Sequence, residues 1–412
     1  MKILIIASLW PEPTSSAAGR RMVDLLSLFH KQAWSITYAC TAAESEYCYP
    51  LDALNIKKQA VAVNDSAFDA FIRALSPDIV LFDRFMIEEQ FSWRVEQQCP
   101  EAMTVLETSD LHCLRQARQL AVKQGRQVTQ SDLTHELAYR EIASILRTDL
   151  TLVISQVEMQ LLKTVYKIDE ALLVYFPFVV QEKDIQQRVD SWPSYEQRKG
   201  FISIGNFKHA PNWDAVQFLK QQIWPLIKQK LPEAELFVYG AYPPPKATQL
   251  DKPEDGFHIK GRAIAVQEVM QKARVCLAPL RFGAGLKGKL LDAMEFGTPS
   301  ITTAIGAEGM HDNLPWNGYI AEVPQDIAES AVSLYGDKAH WHTCQSYGVD
   351  ILHHCYSSSV FSQALMDKLL SIYEELNAHR QQNFQGGMLK HHRMKSTKYM
   401  SLWIEEKNKQ TE

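Results

Sequence analysis

A glycine-rich loop beside cationic side chains is the segment of this sequence whose residue types most clearly suggest chemistry. The apolar run 275–280 predicts a strand, the loop GAGLKG (283–288) follows it, and the apolar spacing of LLDAM (290–294) predicts a helix. Glycines allow backbone amides to approach a ligand closely, and the first turn of a helix carries about half a positive charge. Together with Arg281, Lys287 and Lys289, this arrangement suits the binding of a diphosphate.

The same loop also matches G-x-G-x-x-G, the fingerprint of dinucleotide-binding domains. Its glycines are Gly283, Gly285 and Gly288, and Glu308 lies twenty residues further on. However, the loop does not open the first strand–helix unit of its half of the chain, and the fingerprint does not need the cations found here. A nicotinamide or flavin site is therefore the weaker interpretation, and a glycine-rich turn with exposed lysines and no ligand is a third.

A second candidate lies in the first half of the chain, where His112 follows Glu107 and Asp110 just after a predicted strand. A histidine beside carboxylates at a strand end favours a position in a cleft, whereas a histidine satisfied by structural hydrogen bonds is the alternative. Arg115 and Arg118, a few residues later, mark either a solvated helix face or the border of an anionic acceptor site.

Metal binding is the less favoured interpretation of the remaining histidines. They fall in a helical region away from the loop and are His340, His342, His353 and His354, with Cys355 beside them. No Asp-x-Asp triplet occurs in the sequence, so we expect cations and a helix dipole to bind the diphosphate. We therefore expect no metal and no other cofactor.

These residues must be positioned by alternating strands and helices. Apolar runs that predict strands are separated by helical patterns along most of the chain, which indicates strand–helix–strand units and parallel sheets. The runs are KILIIAS (2–8), WSITYAC (34–40), IVLFD (79–83), TVLET (104–108), LTLVIS (150–155), GFISIG (200–205), ELFVYG (235–240), VCLAPL (275–280) and SITTAI (300–305). The sequence thus predicts an α/β protein.

The pattern is interrupted once, by a polar stretch without apolar periodicity. We therefore predict an N-terminal doubly wound domain over residues 1–180, a linker over 181–199 and a C-terminal doubly wound domain over 200–375. In such folds ligands bind at the carboxyl ends of the strands, so the two domains should face each other across a cleft. Residues 376–412 form a basic C-terminal tail that we expect to pack back on the body.

Composition and charge limit the kinds of molecule that we expect this protein to bind and the place where we expect it to act. The net charge of -5 argues against a general nucleic-acid binder, and no run approaches the length of a membrane span. No signal peptide is visible and seven scattered cysteines suggest reduced thiols, so a cytoplasmic location is expected. From His379 onward, seven Lys or Arg stand against three Asp or Glu. Peripheral contact with the inner membrane surface is therefore the second interpretation of the tail.

The segment RFGAGLKGKLLDAMEFGTPSITTAIGAEGM (281–310) resembles the donor-binding segment of family-4-type retaining glycosyltransferases with the GT-B fold. GNFKHAPNWDAVQFLKQQIWPLIKQKLPEAELFVYG (205–240) resembles the opening strand–helix unit of their second domain. In the first half the match is looser and rests on the opening strand and its loop, ETSDLHCLR (107–115) and RTDLTLVISQVE (147–158). The resemblance implies two Rossmann-like domains and a nucleotide-diphosphate sugar as donor.

The resemblance also implies roles for single residues. Asp292 would hold the ribose, where the family usually has Glu, and Arg281 and Lys287 would bind the diphosphate. His112 would lie near the transferred sugar and orient it. The remaining contacts to the donor would come from the loops at Gly19 and Arg20, Asn206 and Lys208, Gly283 and Gly285, and Gly306 and Glu308.

One departure from the family's pattern bears on activity. Many relatives have a second acidic residue eight positions before the one that binds ribose, and Ala284 occupies that position here. The resemblance predicts a retaining hexosyltransferase that needs no metal and modifies a glycan or lipid-linked acceptor in surface polysaccharide or glycoconjugate synthesis. The alternatives are a non-catalytic relative acting as a partner protein and a nucleotide-sugar epimerase of the same fold.

Overall fold

Two parallel sheets, each covered by helices on both faces, make up the protein. A computed structural model describes residues 1–409, and for residues 392–395 it describes the backbone alone. The N-terminal sheet has the order β3-β2-β1-β4-β5-β6-β7 and the C-terminal sheet the order β10-β9-β8-β11-β12-β13. This arrangement confirms the predicted pair of doubly wound, Rossmann-like α/β domains.

Nine strands coincide with the nine apolar runs of the sequence, and four described strands, β3, β7, β10 and β13, were not predicted. The N-terminal strands are β1 (Lys2–Ala7), β2 (Ser35–Cys40), β3 (Lys57–Ala60), β4 (Ile79–Asp83), β5 (Met103–Glu107), β6 (Leu150–Val153) and β7 (Leu173–Tyr175). The C-terminal strands are β8 (Phe201–Ile204), β9 (Leu236–Tyr239), β10 (Phe257–Gly261), β11 (Val275–Ala278), β12 (Ser300–Thr302) and β13 (Gly318–Ile320).

Helices follow most strands, as right-handed crossovers between parallel strands require. Those of the N-terminal half are α1 (Ala17–Lys31), α2 (Ala67–Leu75), α3 (Phe85–Gln98), α4 (His112–Lys123), α5 (Glu136–Arg147), α6 (Gln156–Thr164) and α7 (Glu182–Asp190). Those of the C-terminal half are α8 (Ala210–Phe218), α9 (Trp224–Lys230), α10 (Pro245–Thr248), α11 (Val266–Lys272), α12 (Gly288–Glu295), α13 (Ala304–Ala307), α14 (Pro324–Gly336) and α15 (Lys338–Cys355). The chain ends with α16 (Ser358–Glu374), α17 (Leu376–Gln382) and α18 (Phe384–Lys409).

The central strand β1 shows why the first sheet is buried on both faces. Successive side chains of a strand point to opposite faces. Ile3 and Ile5 belong to the core on one face, and Leu4 and Ile6 belong to the core on the other, all of them at most 1% exposed. A continuous apolar run therefore forms a central strand, whereas the polar strand β3 lies at the edge of the sheet.

The predicted linker and the predicted end of the second domain each contain more structure than the sequence indicated. Helix α7 forms within residues 181–199, and its Ile185 is buried in a core with residues of α12 and α15. Helix α16 falls inside the predicted 200–375 domain, yet its Leu365, Met366 and Leu369 are buried in the N-terminal core. The chain thus crosses back to the first domain before its end.

The basic tail lies against helices α3 and α5 of the N-terminal domain. Ser66 donates to Glu405 over 2.6 Å, and Arg380 pairs with Asp149 at 2.8 Å. The last three residues of the predicted tail, 410–412, lie outside the described residues. Within the described part of the chain, no helix combines the length and the apolar composition needed to cross a bilayer.

Candidate active site

A cavity of about 720 Å³ lies between the two domains, at the carboxyl ends of both sheets. In each sheet the strand order reverses between two central strands, β1 and β4 in the first and β8 and β11 in the second. Loops that follow these strands line the cavity from both sides. The cleft is therefore at the position where doubly wound domains bind ligands.

The walls of the cleft are positively charged although the whole chain is acidic. Seven Lys or Arg and four Asp or Glu line the cavity, a net of +3, whereas the chain has a net charge of -5. The basic side chains are Arg20, Arg21, Arg84, Arg115, Lys208, Lys287 and Lys289. A cleft of this sign concentrates an anionic ligand.

Most of the residues predicted from the sequence line this cavity. They are Gly19, Arg20, His112, Asn206, Lys208, Gly283, Lys287 and Asp292. The loop after β8 supplies two of them, and its turn is closed by a hydrogen bond from the Lys208 amide to Asn206 Oδ1 at 2.9 Å. The Lys208 ammonium lies 3.9 Å from the centre of the Tyr242 ring.

The glycine loop is held in a conformation that favours glycine. Gly285 has a φ of 62°, and a Cβ at this position would lie 2.8 Å from the Cβ of Asp110 in the other domain. Helix α12 begins at Gly288, so its free amides face the cleft. Lys287 is 7% exposed, its Nζ donates to the Gly285 carbonyl over 2.6 Å, and burial lowers its pKa to about 8.

A buried carboxyl group of the N-terminal domain binds this loop, and the sequence analysis missed it. Glu158, at the start of α6, accepts hydrogen bonds from the amides of Leu111 at 2.9 Å and Gly285 at 2.8 Å. Burial, with Asp110 nearby, raises the pKa of Glu158 to about 8. Because its partners are backbone amides of both domains, no motif in the sequence indicates this role.

Asp292, predicted to bind ribose, is engaged by Arg20, the residue predicted to reach the donor from the first domain. The two side chains pair at 2.7 Å, and Arg20 also pairs with Glu295. Burial, together with the charge of Glu295, raises the pKa of Asp292 to about 6 despite the pairing. A ribose hydroxyl would therefore share Asp292 with Arg20 or replace it.

Four predicted donor residues do not line the cavity, one of which is Gly285 of the glycine loop. Arg281 pairs with Asp214 of α8 at 2.5 Å, and its predicted contact with the diphosphate stays a prediction. Glu308 forms a two-point ion pair with Arg118 of α4, at 2.7 and 2.8 Å. Gly306 is buried in α13, where its amide donates to the Thr303 hydroxyl over 3.1 Å.

Lys289 was counted among the cations near the loop but was not predicted as a donor contact of its own. It lines the cleft, donates to Asn212 Oδ1 over 2.8 Å, and has a pKa lowered by burial to about 8. The signal was present, because Lys289 lies two residues after Lys287 at the start of the helix. Which cations face the cleft depends on the orientation of the helix, and this was not evident from the sequence.

His112 occupies the first position of α4, where its environment keeps the imidazole neutral. Its Nε2 lies 3.5 Å from Asp110 Oδ1, and Phe85 contacts the ring edge to face. Burial lowers its pKa to about 4, although Asp110 opposes this shift. Glu141 accepts from the amide of His112 over 3.0 Å and so fixes the start of the helix. The ring is thus suited to hydrogen bonding rather than to carrying charge.

The residues that could hold a metal are not clustered in the described part of the chain. Over residues 1–409, no group of three His, Cys, Asp or Glu side chains is placed to bind a metal ion. His340 of the histidine-rich helix α15 contacts Cys344 over 3.3 Å, one turn along the same helix.

Comparison with solved structures identifies the architecture. Sucrose-phosphate synthase from Thermosynechococcus elongatus shares 15% identity, with a TM-score of 0.63 over 92% of this chain and 100% of that one. HepE from Anabaena, in complex with UDP and glucose, shares 11% identity, with a TM-score of 0.66 over 89% and 99%. A mutant of S. aureus TarM, in complex with fondaparinux, alpha-GlcNAc-glycerol and UDP, shares 9%, with a TM-score of 0.66 over 90% and 100%. The chain has the GT-B fold.

The second domain also matches a described protein family. Residues 198–337 match the family described as Glycosyl transferases group 1, which confirms the resemblance to family-4-type glycosyltransferases. The match covers 140 of the 412 residues, nearly all of them in the C-terminal domain. A search of curated proteins finds no match to the sequence.

Proposed function

We propose that the protein transfers a hexosyl group from a nucleoside-diphosphate sugar to a glycan or lipid-linked acceptor, with retention of configuration and without a metal. The observation that carries this proposal is the glycine loop at the start of α12, with the buried Lys287 and the half-buried Lys289 lining a cleft of net positive charge. We place the reaction in the synthesis of surface polysaccharides or glycoconjugates. A non-catalytic partner protein and a nucleotide-sugar epimerase are the competing functions.

The diphosphate would be stabilised as it leaves. When the bond between the anomeric carbon and the phosphate oxygen breaks, negative charge develops on the diphosphate. Lys287, Lys289 and the amides of α12 supply preorganised positive charge on that side of the cleft. Lys287 is shielded from water, which strengthens its interaction with an anion.

Retention is proposed to follow from attack on the same face from which the diphosphate leaves. The acceptor oxygen forms a bond to the anomeric carbon, and its proton passes to the departing phosphate oxygen. No side chain needs to become a covalent nucleophile. His112, neutral near pH 7, would accept or donate a hydrogen bond to a hydroxyl of the transferred sugar and so orient it.

Two of the similar structures bear on the choice of nucleotide. The HepE and TarM structures are described as complexes with UDP, and the HepE structure also contains glucose. We therefore place UDP first among the candidate nucleotides and glucose among the candidate sugars.

The test is a thermal-shift screen with EDTA present, using UDP, GDP, ADP, CMP and NAD. A ligand that binds only the native state at a hundred times its Kd stabilises it by about 2.7 kcal/mol. We expect one nucleoside diphosphate to raise Tm, and K287A to abolish that shift. The matched control is K272A, an exposed lysine of the same domain that does not line the cavity.

Each outcome favours one function. Release of UDP or another nucleoside diphosphate from the sugar conjugate, with sugar transferred to an acceptor, supports the transferase. A free sugar epimer without any acceptor supports the epimerase. No shift with any nucleoside diphosphate supports the partner protein, and a shift with NAD alone would reject all three.

We also propose that α18 attaches the enzyme to an anionic lipid surface. Tyr399, Met400, Leu402 and Trp403 are 40 to 66% exposed on this helix, and Lys407 lies beside Trp403. Aromatic and basic side chains together suit the headgroup region of an anionic bilayer. A lipid-linked acceptor would then be presented to an enzyme already at the membrane.

Vesicle co-sedimentation tests this attachment. We expect binding to vesicles containing about a third phosphatidylglycerol and little binding to pure phosphatidylcholine. The double variant Y399S/W403S should lose most of the binding, whereas V360S, which changes an exposed apolar residue of α16, should keep it. Equal binding by both variants would reject α18 as the contact.

A further inference from the structure

The backbone of Arg84 is strained, and it lies in the cleft. Arg84 follows the last residue of β4 and precedes α3, with a φ of 73° and a ψ of 157°. This region is adopted almost exclusively by glycine, and another residue held there is strained. The amide of Arg84 donates to the Glu107 carbonyl at 2.8 Å, so the β4–β5 pairing imposes the conformation.

Among the residues whose side chains are described, none accepts a hydrogen bond from the guanidinium group of Arg84. Its nearest carboxylate is that of Asp83, 3.6 Å from Nε, which is too long for a hydrogen bond. Every other arginine whose side chain the structure describes donates at least one side-chain hydrogen bond. Those arginines are Arg20, Arg21, Arg73, Arg94, Arg115, Arg118, Arg126, Arg140, Arg147, Arg188, Arg198, Arg262, Arg274, Arg281 and Arg380.

Arg84 also lines the cavity, with its side chain 21% exposed. Its position is on the N-terminal wall, whereas Lys287 and Lys289 are on the C-terminal wall with the glycine loop. The neighbouring cation Arg115 already donates a hydrogen bond to Asp110, whereas Arg84 faces the Asp83 carboxylate without donating one. Arg84 is thus a cation whose guanidinium N–H groups have no acceptor in the described part of the chain. Its strained backbone holds it on the side of the cleft opposite the proposed binding site of the nucleotide sugar.

We propose that Arg84 binds an anionic group of the acceptor, a phosphate or a carboxylate, and so selects acceptors that carry one. The guanidinium presents parallel donors that match two oxygens of such a group. The inference rests on the proposed glycosyltransferase function and adds the chemical class of the acceptor. The strained backbone directs the side chain into the cleft, and a glycine at this position would remove the strain together with the side chain.

Anion binding to the enzyme with its donor site filled tests this inference. With the nucleoside diphosphate found in the screen at saturation, calorimetry measures binding of inorganic phosphate, glucuronate and neutral glucose. We expect wild type to bind at least one of the two anions, and R84Q to weaken that binding by at least tenfold. The affinity for the nucleoside diphosphate should stay within twofold in R84Q. R73Q, an exposed arginine of the same domain, is the control.

A pair of variants separates anion binding from damage to the fold. R84Q and R84G both lack the charge, but only R84G relieves the backbone, so R84G should melt about 2–4 °C above R84Q. Both should lose anion binding. The two anions distinguish a phosphorylated acceptor from a uronic acid.

The contrary results are distinct from failure of the proposed function. If a nucleoside diphosphate binds but wild type binds neither anion, the inference is wrong and the transferase proposal stands. The same holds if R84Q binds the anion as tightly as wild type does. If R84Q instead loses affinity for the nucleoside diphosphate, Arg84 belongs to the donor site. If no nucleoside diphosphate binds to wild type, the transferase proposal itself fails, and this inference with it.

Discussion

The histidine in the cleft illustrates how the surroundings of one residue define its role. His112 lies beside the carboxylate of Asp110, which would normally favour the imidazolium form. Burial outweighs that attraction and lowers the pKa to about 4. Asp110 remains charged. Burial alone would raise its pKa, but Arg115 and His112 outweigh this effect and lower the pKa to about 2. Near pH 7 the pair is therefore a neutral ring beside an anion.

This shift predicts how stability depends on pH. The unfolded His112 has a pKa of about 6.5 and binds a proton more readily than the folded one, so the unfolded state takes up protons as the pH falls below 6.5. Lowering the pH from 6.5 to 5 should therefore destabilise wild type relative to H112N by about 1–2 kcal/mol. Urea unfolding of both proteins across this range measures the difference. A difference that does not change with pH would show that the ring is protonated equally in both states.

Prediction from the sequence was least complete for the roles of single residues. The glycine loop, Lys287 and the position of His112 could be read from residue types and resemblance, and all three line the cleft. Arg281 could not be distinguished from Lys289, because its partner Asp214 is 67 residues away in the chain. The strain at Arg84 has no sequence signal at all, since nothing marks a non-glycine residue with a positive φ.

At the level of elements, helix α4 connects the two domains. Arg118, on this helix, forms two hydrogen bonds with Glu308 and a third with the Gly283 carbonyl at 2.8 Å. Glu158, on α6, accepts a hydrogen bond from the amide of Gly285. Two helices of the N-terminal domain thus hold the glycine loop of the other domain. The loop is positioned for the donor only when the domains are in contact.

A double-mutant cycle tests this connection. R118A and E308A should each reduce kcat/KM, and the double variant should be little worse than either single variant, because each removes the same ion pair. A two-point pair that is only 14 and 21% exposed should give a coupling energy of about 1–2 kcal/mol. The exposed pair Lys338–Glu196 serves as the control and should show no coupling in activity. Additive losses at Arg118 and Glu308 would mean that the pair does not position the loop.

Strands with continuous apolar sequences could be predicted. The packing of helices could not be predicted where it depends on tertiary contacts. Continuous apolar runs located both sheets, because a strand covered on both faces needs apolar residues at every position. Helix α7 was assigned to a linker because it buries little beyond Ile185. That α16 packs on the first domain rather than the second depends on which core accepts its apolar face. Periodicity alone carries no information about that choice.

At the scale of the whole molecule, the two domains contact each other so closely that a glycine at the contact has no space for a Cβ atom. A Cβ on Gly288 would lie 2.7 Å from the Cβ of Ala17, across the cleft. Ion pairs such as Arg20–Asp292 span the same gap. The described arrangement is therefore a closed one, in which the start of α12 touches the start of α1. Closure of this kind excludes water from a reacting sugar.

Substitution of Gly288 by alanine should open the molecule without weakening its domains. Within a helix, alanine is favoured over glycine by up to about 1 kcal/mol, so α12 itself gains stability. The added methyl group cannot be accommodated against Ala17 unless the domains separate. Small-angle scattering should show a larger radius of gyration for G288A than for wild type, and kcat should fall by at least tenfold. The matched control is G336A at the end of α14, where a Cβ meets nothing within 4 Å. If G288A keeps the wild-type radius and activity, contact between the starts of α1 and α12 is not part of the closed state that carries out the transfer.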